Sequence, residues 1–385
     1  MVINKRNIRI FTFTTSMLWF SLYAYVAELS TYASTLGASY RVIGIITGSY
    51  GLTQLLLRIP LGIFSDLIGK RKIFIILGMV ISGISSMITF IRPSQYTLLV
   101  TRALAGVSAS SWVLFTVMFS SYFKKSESTK AIGIMNSFNA VGQLFAMILG
   151  GFVSFYLGTR YLFLLSSIGA IAGLITSMFI YEEKVEIAKT HLRDFIEVGK
   201  NRQLQIVSLL GILSQIITFA TAFGFVPILA KNLGAENYQL SILTALAIIP
   251  AIFISRLAGT FFIRHIGAKN TINLGFIIAA VLCLIMPWIR TLTLLYIAQV
   301  FSGIGRSLTF PLLMGLGIEE IPQSKRATAM GMFQAIYGIG MVLGPVFLGF
   351  IAQSFGLNIG FAVTSITGII GILITLLFIK SKKGD

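Results

Sequence analysis

The stretch IFIILGMVISGISSMITFI, from Ile73 to Ile91, decides the fold class of this chain. It contains no charged side chain, and apolar residues occupy every face of a helix drawn through it. A helix of this length spans the hydrocarbon core of a bilayer, which is about 30 Å thick. Lipid offers the backbone no hydrogen-bond partner, so a span is either a helix or a barrel strand, and barrel strands alternate apolar and polar residues. The stretch therefore predicts a membrane-spanning α-helix.

The composition of the whole chain agrees with this interpretation. Of its 385 residues, 56% are hydrophobic and 11% are charged, whereas soluble proteins carry about 25% charged residues. We predict twelve apolar spans, numbered in chain order, and hence an all-α membrane protein with twelve transmembrane helices. The spans cover residues 8–34, 42–65, 73–91, 97–122, 131–156, 161–181, 205–230, 238–262, 271–289, 293–317, 329–354 and 358–379.

The net charge of +18 follows the predicted topology and does not require a nucleic-acid surface. If the N-terminus is cytoplasmic, 21 of the 30 Lys and Arg residues fall on the cytoplasmic side, five fall outside and four fall within spans. Membrane proteins carry this excess of basic residues in their cytoplasmic loops. We therefore expect both termini in the cytoplasm, a location in a plasma membrane such as the bacterial cytoplasmic membrane, and no nucleic-acid partner.

The two halves of the chain repeat each other. With a shift of 198 residues Gly142 falls on Gly340, and with a shift of 197 Gly106 falls on Gly303. Parallel repeats of this kind build transporters from two six-helix bundles. We divide the chain into an N-terminal bundle, a polar linker that could form a short surface helix, and a C-terminal bundle. These three parts cover residues 1–181, 182–204 and 205–385, respectively.

The loop between spans 2 and 3 carries the sequence GIFSDLIGKRK, from Gly62 to Lys72. A Gly followed four residues later by Asp, then by Gly and a basic cluster, resembles the signature of the major facilitator superfamily. The matching residues are Gly62, Asp66, Gly69, Lys70 and Arg71. In span 4, Arg102 followed by Gly106 resembles a second pattern of that family. The resemblance covers essentially the whole chain and implies two pseudo-symmetric six-helix bundles that rock around a central site.

Within that superfamily the chain is most similar to the drug:proton antiporters. The glycines of their span-5 pattern are present, but Ala146 and Met147 stand where that branch has Gly-Pro. The resemblance implies that Arg102 takes part in proton coupling and that the signature loop acts as a gate. Asp66 would meet the start of span 11, where a helix N-terminus attracts negative charge, and so hold the cytoplasmic side closed.

Two charges inside the N-terminal spans have no counterpart in the repeat, Glu28 in span 1 and Arg102 in span 4. A charge near the bilayer centre costs at least about 2.5–3.5 kcal/mol, so each requires a partner or a function. Their similar depth predicts an ion pair. Either this pair carries the coupled proton, with Arg102 stabilising the ionised Glu28, or it only fixes helix packing.

A third unmatched charge, Arg306, lies near the middle of span 10. We expect it to contact an anionic or carbonyl-rich substrate; the alternative is a hydrogen bond to backbone near Pro311. Arg58 and Arg256, in contrast, coincide in the repeat and lie in the cytoplasmic halves of their spans. We assign that pair to the fold, with side chains that reach toward the membrane surface.

Polar side chains at helical spacing mark candidate walls of a substrate cavity. Tyr25 and Tyr32 share one face of span 1 with Glu28. A polar stripe in span 5 and its repeat equivalents in span 11 supply the others, which are Asn136, Asn139, Gln143, Gln334 and Tyr337. Such stripes either line a wet cavity or form hydrogen bonds to a neighbouring helix.

The remaining features of the sequence reduce the number of possible functional classes. No GxxxxGK[ST] phosphate loop is present, Cys283 is the only cysteine, and His191 and His265 fall in predicted loops. We therefore expect no enzyme and no cofactor, but a monomeric secondary active transporter that uses a proton gradient. The first expectation is export of a hydrophobic or amphipathic small molecule in exchange for protons. The alternatives are proton-linked transport of a small metabolite, anionic ones included, and a membrane receptor that moves no solute.

Overall fold

The computed structural model describes residues 5–123, 128–182, 192–322 and 325–379. Within these ranges the chain forms helices joined by short turns, and no strand occurs. Each helix satisfies its backbone hydrogen bonds internally, as a segment surrounded by lipid must.

The six N-terminal spans are helices, two of which are interrupted. Span 1 passes through a 3₁₀ turn, Val26–Glu28, and span 4 is interrupted at Ser111. The helices are Lys5–Tyr23 and Leu29–Thr35 in span 1, Tyr40–Ile68 in span 2, Lys72–Ile91 in span 3, Gln95–Ser110 and Trp112–Ser120 in span 4, Ser128–Leu157 in span 5 and Tyr161–Ser177 in span 6.

The six C-terminal spans follow in the same order. Spans 7 and 8 each contain a π-helical turn, Thr221–Phe225 and Ala258–Phe262. The helices are Arg202–Ala220 and Val226–Asn232 in span 7, Asn237–Ile248 and Pro250–Leu257 in span 8, Ile263–Ile285 in span 9, Leu292–Glu319 in span 10, Arg326–Phe355 in span 11 and Leu357–Phe378 in span 12. In the linker, the helix Leu192–Gly199 is tied to the start of span 11 by a 2.6 Å ion pair between Glu197 and Lys325.

The described helices account for twelve membrane crossings. Ten segments are long and apolar enough to cross a membrane, and one of them, Asn237–Trp288, has 52 residues and contains both span 8 and span 9. The shorter helix Tyr161–Ser177 forms span 6. Gly267, with a φ of 79°, interrupts the long segment, and Gly69, with a φ of 70°, ends span 2 at the equivalent place in the other half. Only glycine adopts such angles without strain. The predicted fold class is confirmed.

The repeated glycines bring helices into close contact at equivalent places in the two halves. Gly106 of span 4 lies against the carbonyl oxygen of Tyr50 in span 2, and Gly303 of span 10 lies against that of Ala247 in span 8. A side chain at either glycine would overlap a backbone carbonyl, which cannot rotate away. Small residues at helix crossings permit this approach in membrane bundles.

Because of this packing, Gly106→Ala is expected to destabilise the protein. The added methyl would overlap the Tyr50 carbonyl oxygen, and overpacked sites cost about 1–3 kcal/mol, so the melting temperature should fall by about 5 °C. Gly133→Ala is the matched control, because no atom lies within 4 Å of where its methyl would stand. Thermal unfolding of both purified variants tests the packing; equal melting temperatures for the two would contradict it.

The two halves contact each other along spans 2 and 11. We call the side that carries the basic loops cytoplasmic, following the charge bias, and the opposite side outer. At the outer end, Gly44 and Gly48 of span 2 pack against Pro345 and Val342 of span 11. The two halves therefore meet on the outer side.

Candidate substrate cavity

A cavity of about 330 Å³ lies between the two halves. Spans 1, 2, 4 and 5 of the N-terminal half and spans 7, 8, 10 and 11 of the C-terminal half contribute to its wall. Small-molecule sites occupy about 300–1,000 Å³, so the space suits a small organic substrate.

The wall of this cavity is aromatic and amide-rich. Its aromatic members are Trp19, Tyr23, Tyr50, Trp112, Phe219, Phe223, Phe310 and Tyr337, and its amide members are Gln54, Asn136, Asn139, Gln143, Gln215 and Gln334. Two arginines, Arg58 and Arg306, complete the polar part, and none of the described residues that line the cavity is acidic. The wall can therefore surround an apolar body and form hydrogen bonds to its polar groups.

Most of the polar residues predicted for the cavity lie in its wall. They are Asn136, Asn139, Gln143, Arg306, Gln334 and Tyr337. The Gln143 side-chain amide donates to the side-chain oxygen of Asn139, one turn earlier on span 5. The stripe in span 5 thus faces the cavity while part of its hydrogen bonding is already satisfied within the helix.

The prediction that Tyr25 and Tyr32 line this cavity is wrong. The ring of Tyr25 stacks on Phe163 of span 6, with 4.7 Å between the centroids, and Tyr32 packs on the same ring at 5.9 Å. Tyr23 lines the cavity instead. Tyr25, Glu28 and Tyr32 do share a face, but it meets spans 5 and 6 and not the cavity. Helical spacing shows which residues share a face but not which neighbour that face contacts.

Arg306 lies in the cavity wall with few partners. One terminal nitrogen donates to the carbonyl oxygen of Ala247 in span 8 at 3.3 Å, and the guanidinium carbon lies 6.0 Å from the centroid of the Phe223 ring. The backbone hydrogen bond expected as the alternative therefore exists, but it goes to span 8 and not to the region of Pro311. A recess of about 20 Å³, lined by Arg306, Ser302 and other residues, adjoins this side chain and has room for about one water.

Arg58 was expected to reach toward the membrane surface, and it does not. It is 4% exposed and lies in the cavity wall, where one terminal nitrogen donates to the Gln334 carbonyl at 3.1 Å and to the Tyr337 hydroxyl at 3.3 Å. The other terminal nitrogen donates to the side-chain oxygen of Gln54, one turn earlier in span 2. Its repeat partner Arg256 is exposed. The sequence signal that could have shown this difference is Gln54, since the C-terminal half has no amide at the equivalent position.

Glu28 is buried at the outer end of span 1 and does not pair with Arg102. Its side chain is 1% exposed, and one carboxylate oxygen accepts hydrogen bonds from Ser154 Oγ at 2.7 Å and Thr159 Oγ1 at 2.6 Å. The second oxygen is buried without a partner among the described residues. Thr159 Oγ1 also accepts a 3.0 Å hydrogen bond from the side-chain amide of Asn237 at the start of span 8. The carboxylate is thus linked across the boundary between the two halves.

The side chain of Arg102, on span 4, does not face Glu28. It is 1% exposed, and its guanidinium carbon stands 3.9 Å from the centroid of the Tyr50 ring, in a cation–π contact. The Tyr25 hydroxyl lies close to the same guanidinium. The predicted ion pair is wrong because similar depth does not bring side chains together: Glu28 faces spans 5 and 6, whereas Arg102 faces span 2.

The signature loop is anchored to the end of span 6. The backbone N–H groups of Arg71 and Lys72 donate to one carboxylate oxygen of Glu182, at 2.5 and 3.2 Å. A carboxylate at this place caps the positive start of span 3. Lys70 is exposed beside it. The side chain of Asp66 lies outside the described residues, so its contact with span 11 remains a prediction. No group of three His, Cys, Asp or Glu side chains in the described ranges is arranged to hold a metal ion.

Twelve helices in two pseudo-symmetric bundles, with a small-molecule cavity between them, define the class of polytopic membrane transporters. A family model described as Major Facilitator Superfamily matches residues 10–211 and 207–385, and the chain belongs to that superfamily.

Known proteins resemble this chain over nearly its full length. An uncharacterized MFS-type transporter of Methanocaldococcus jannaschii is 26% identical over 98% of this chain and 99% of its own. Multidrug resistance protein 2 of Bacillus subtilis is 23% identical over 94% of this chain and 92% of its own. Among solved structures, a bacterial homolog of the human lysosomal transporter Spinster, in an inward-facing and unoccupied conformation, superposes with a TM-score of 0.78 at 16% identity. It covers 97% of this chain and 96% of its own.

Proposed function

We propose that this chain is a proton-coupled secondary transporter that exports hydrophobic or amphipathic small molecules by alternating access. The observation that carries this proposal is the aromatic and amide-lined cavity between the halves, which meet on its outer side. We infer that the cavity opens toward the cytoplasm. The full-length similarity to a protein named for multidrug resistance supports export. In this proposal the substrate enters from the cytoplasm into the conformation described here.

In this proposal Glu28 links a proton to closure of the outer side. Thr159 connects its carboxylate by hydrogen bonds to Asn237 of the other half. Separating the outer ends would break these hydrogen bonds and admit water to Glu28. In the closed state an ionised carboxylate would be buried with no cation within ion-pair distance among the described residues, which is unfavourable. We propose that closure takes place with Glu28 protonated.

In this proposal Arg102 couples the proton site at Glu28 to the substrate cavity. Its guanidinium lies close to Tyr25, three residues before Glu28, and over the ring of Tyr50 in the cavity wall. A substrate that displaces Tyr50 would shift Arg102 and so change the electrostatic potential near Glu28. Arg102 remains cationic throughout and acts only as a neighbour of the proton site.

A transport assay tests the proposal. Purified protein in liposomes should move at least one compound of a hydrophobic and amphipathic panel when a pH gradient is imposed, and a protonophore should stop the movement. Saturable binding with no movement of any bound compound would replace the transporter proposal with the receptor alternative. The proposal also includes a monomer in the bacterial cytoplasmic membrane with both termini in the cytoplasm, as the basic loops indicate.

A further inference from the structure

We propose that the cavity selects organic anions: amphipathic molecules with an aromatic or apolar body and one acidic group, which Arg306 receives. This inference rests on the proposed function, because it takes the cavity between the halves as the transport site.

The charge of the wall favours an anion. Arg58 and Arg306 both line the cavity, and no carboxylate does within the described part of the chain. Inside a bundle the effective dielectric constant is well below that of water, so two uncompensated cations repel a cationic ligand and attract an anionic one. An acidic group entering the cavity would offset charge that the protein itself leaves unbalanced.

The unpaired hydrogen-bonding groups of the wall point to the same ligand chemistry. Among buried polar atoms without a partner, three donors belong to lining residues: the indole N–H of Trp19, the amide nitrogen of Gln54 and Nε of Arg58. The one lining acceptor in this set is the side-chain oxygen of Gln334. Because the oxygen of Gln54 already accepts from Arg58, its amide nitrogen is the free end. The unpaired buried groups of the wall are thus mostly donors, so a ligand that reached them would satisfy more of them with acceptors than with donors.

The two arginines are not equally available to a ligand. Arg58 is 4% exposed, and its terminal nitrogens already donate to Gln54, Gln334 and Tyr337. Arg306 makes a single 3.3 Å hydrogen bond, to the Ala247 carbonyl. A guanidinium carries five N–H donors and binds a carboxylate with two of them at once. Arg306 thus has more free donors than Arg58, which holds span 2 against span 11.

The aromatic wall lies where the body of such a ligand would rest. Trp19 and Trp112 meet edge to face, with ring centroids 5.2 Å apart, and both line the cavity in the N-terminal half. Phe223, which also lines the cavity, lies beside Arg306 in the C-terminal half. A ligand bound between the halves would therefore contact rings on one side and the guanidinium on the other.

Three probes that share one fluorescent body test the charge preference. They are dansylglycine, its neutral amide, and the dansylaminoethyl-trimethylammonium cation. The protein is held in nanodiscs of zwitterionic lipid, and binding is read as energy transfer from tryptophan in a Trp288→Phe background, which leaves Trp19 and Trp112 of the three tryptophans. The anion should bind at least about tenfold more tightly than the amide, because charge-assisted hydrogen bonds are stronger than neutral ones. The cation should bind most weakly.

Variants then assign the effect to Arg306. Arg306→Gln should weaken binding of the anion by about tenfold and leave the amide within about twofold. Arg306→Lys retains the charge without the planar fork and should fall between them, which keeps the test valid if the glutamine variant folds poorly. Arg256→Gln is the matched control, because this arginine is exposed and absent from the cavity wall. It should leave all three affinities unchanged.

Several results would overturn the inference. They are absence of anion binding, binding of the cation at least as tight as that of the anion, or an equal loss for all three probes in Arg306→Gln. Transport of the same probes is measured separately in liposomes. An anion that binds through Arg306 but is not moved refutes the transport proposal and leaves the ligand class standing. Gradient-driven movement of the cation alone refutes the ligand class and leaves transport standing.

Discussion

Glu28→Gln is expected to reduce pH-driven accumulation of substrate to the level of protein-free liposomes, while substrate binding persists. Glutamine resembles the protonated carboxyl in shape and can keep an oxygen within reach of Ser154 and Thr159, whose hydroxyls donate to Glu28 at 2.7 and 2.6 Å. The variant can therefore close its outer side but cannot exchange a proton. Initial rates and final accumulation under an imposed gradient, together with binding affinity in detergent, measure the two effects separately.

Two further variants test whether the loss of accumulation is specific to Glu28 and its hydrogen bonds. Glu320→Gln removes an exposed carboxylate at the cytoplasmic end of span 10 and should leave accumulation unchanged. Thr159→Val removes the hydrogen bonds to both Glu28 and Asn237 with little change in shape, so it should weaken coupling without abolishing binding. Normal accumulation in Glu28→Gln would leave Glu28 with a packing role only and would remove proton coupling through this residue.

Gly44→Ala is expected to open the outer side and to slow transport by about tenfold or more. The added methyl would overlap the carbonyl oxygen of Pro345 on span 11, a backbone atom that cannot move without shifting the helix. Such overpacking costs about 1–3 kcal/mol, and 1.4 kcal/mol changes a two-state ratio about tenfold. The clash exists only while spans 2 and 11 are in contact, so the variant destabilises the closed state and not the fold.

Cysteine accessibility measures the expected shift. A cysteine at Met341, which packs against Gly51 of span 2, is introduced into a Cys283→Ser background and labelled from outside with an impermeant maleimide. Labelling should be faster in Gly44→Ala than in the parent. Gly83→Ala is the control, since its methyl would approach Ala170 of the same half at 3.2 Å and does not touch the boundary between halves. Unchanged labelling in Gly44→Ala would show that this contact does not close the outer side.

Part of the candidate site could be predicted from the sequence because its helices are regular. Asn139 and Gln143 lie one turn apart on an uninterrupted helix, so their common face and its repeat equivalent at Tyr337 were visible from spacing alone. Arg58 was missed by the same reasoning, because its coincidence with Arg256 suggested a shared structural role. The two arginines differ in their neighbours, and neighbours from other spans are not visible in a repeat.

The number of spans, their order and the depth of each charge followed from the sequence by itself. Transfer of a segment into lipid depends on its own length and composition, and loop charge sets its orientation, so neither requires knowledge of the packing. The tertiary structure alone decided the direction in which each side chain points. Glu28 and Arg102 lie at similar depth, yet one contacts Thr159 and the other Tyr50. Depth follows from counting residues along a helix, whereas rotation about the helix axis depends on helix breaks and on which neighbours pack against it.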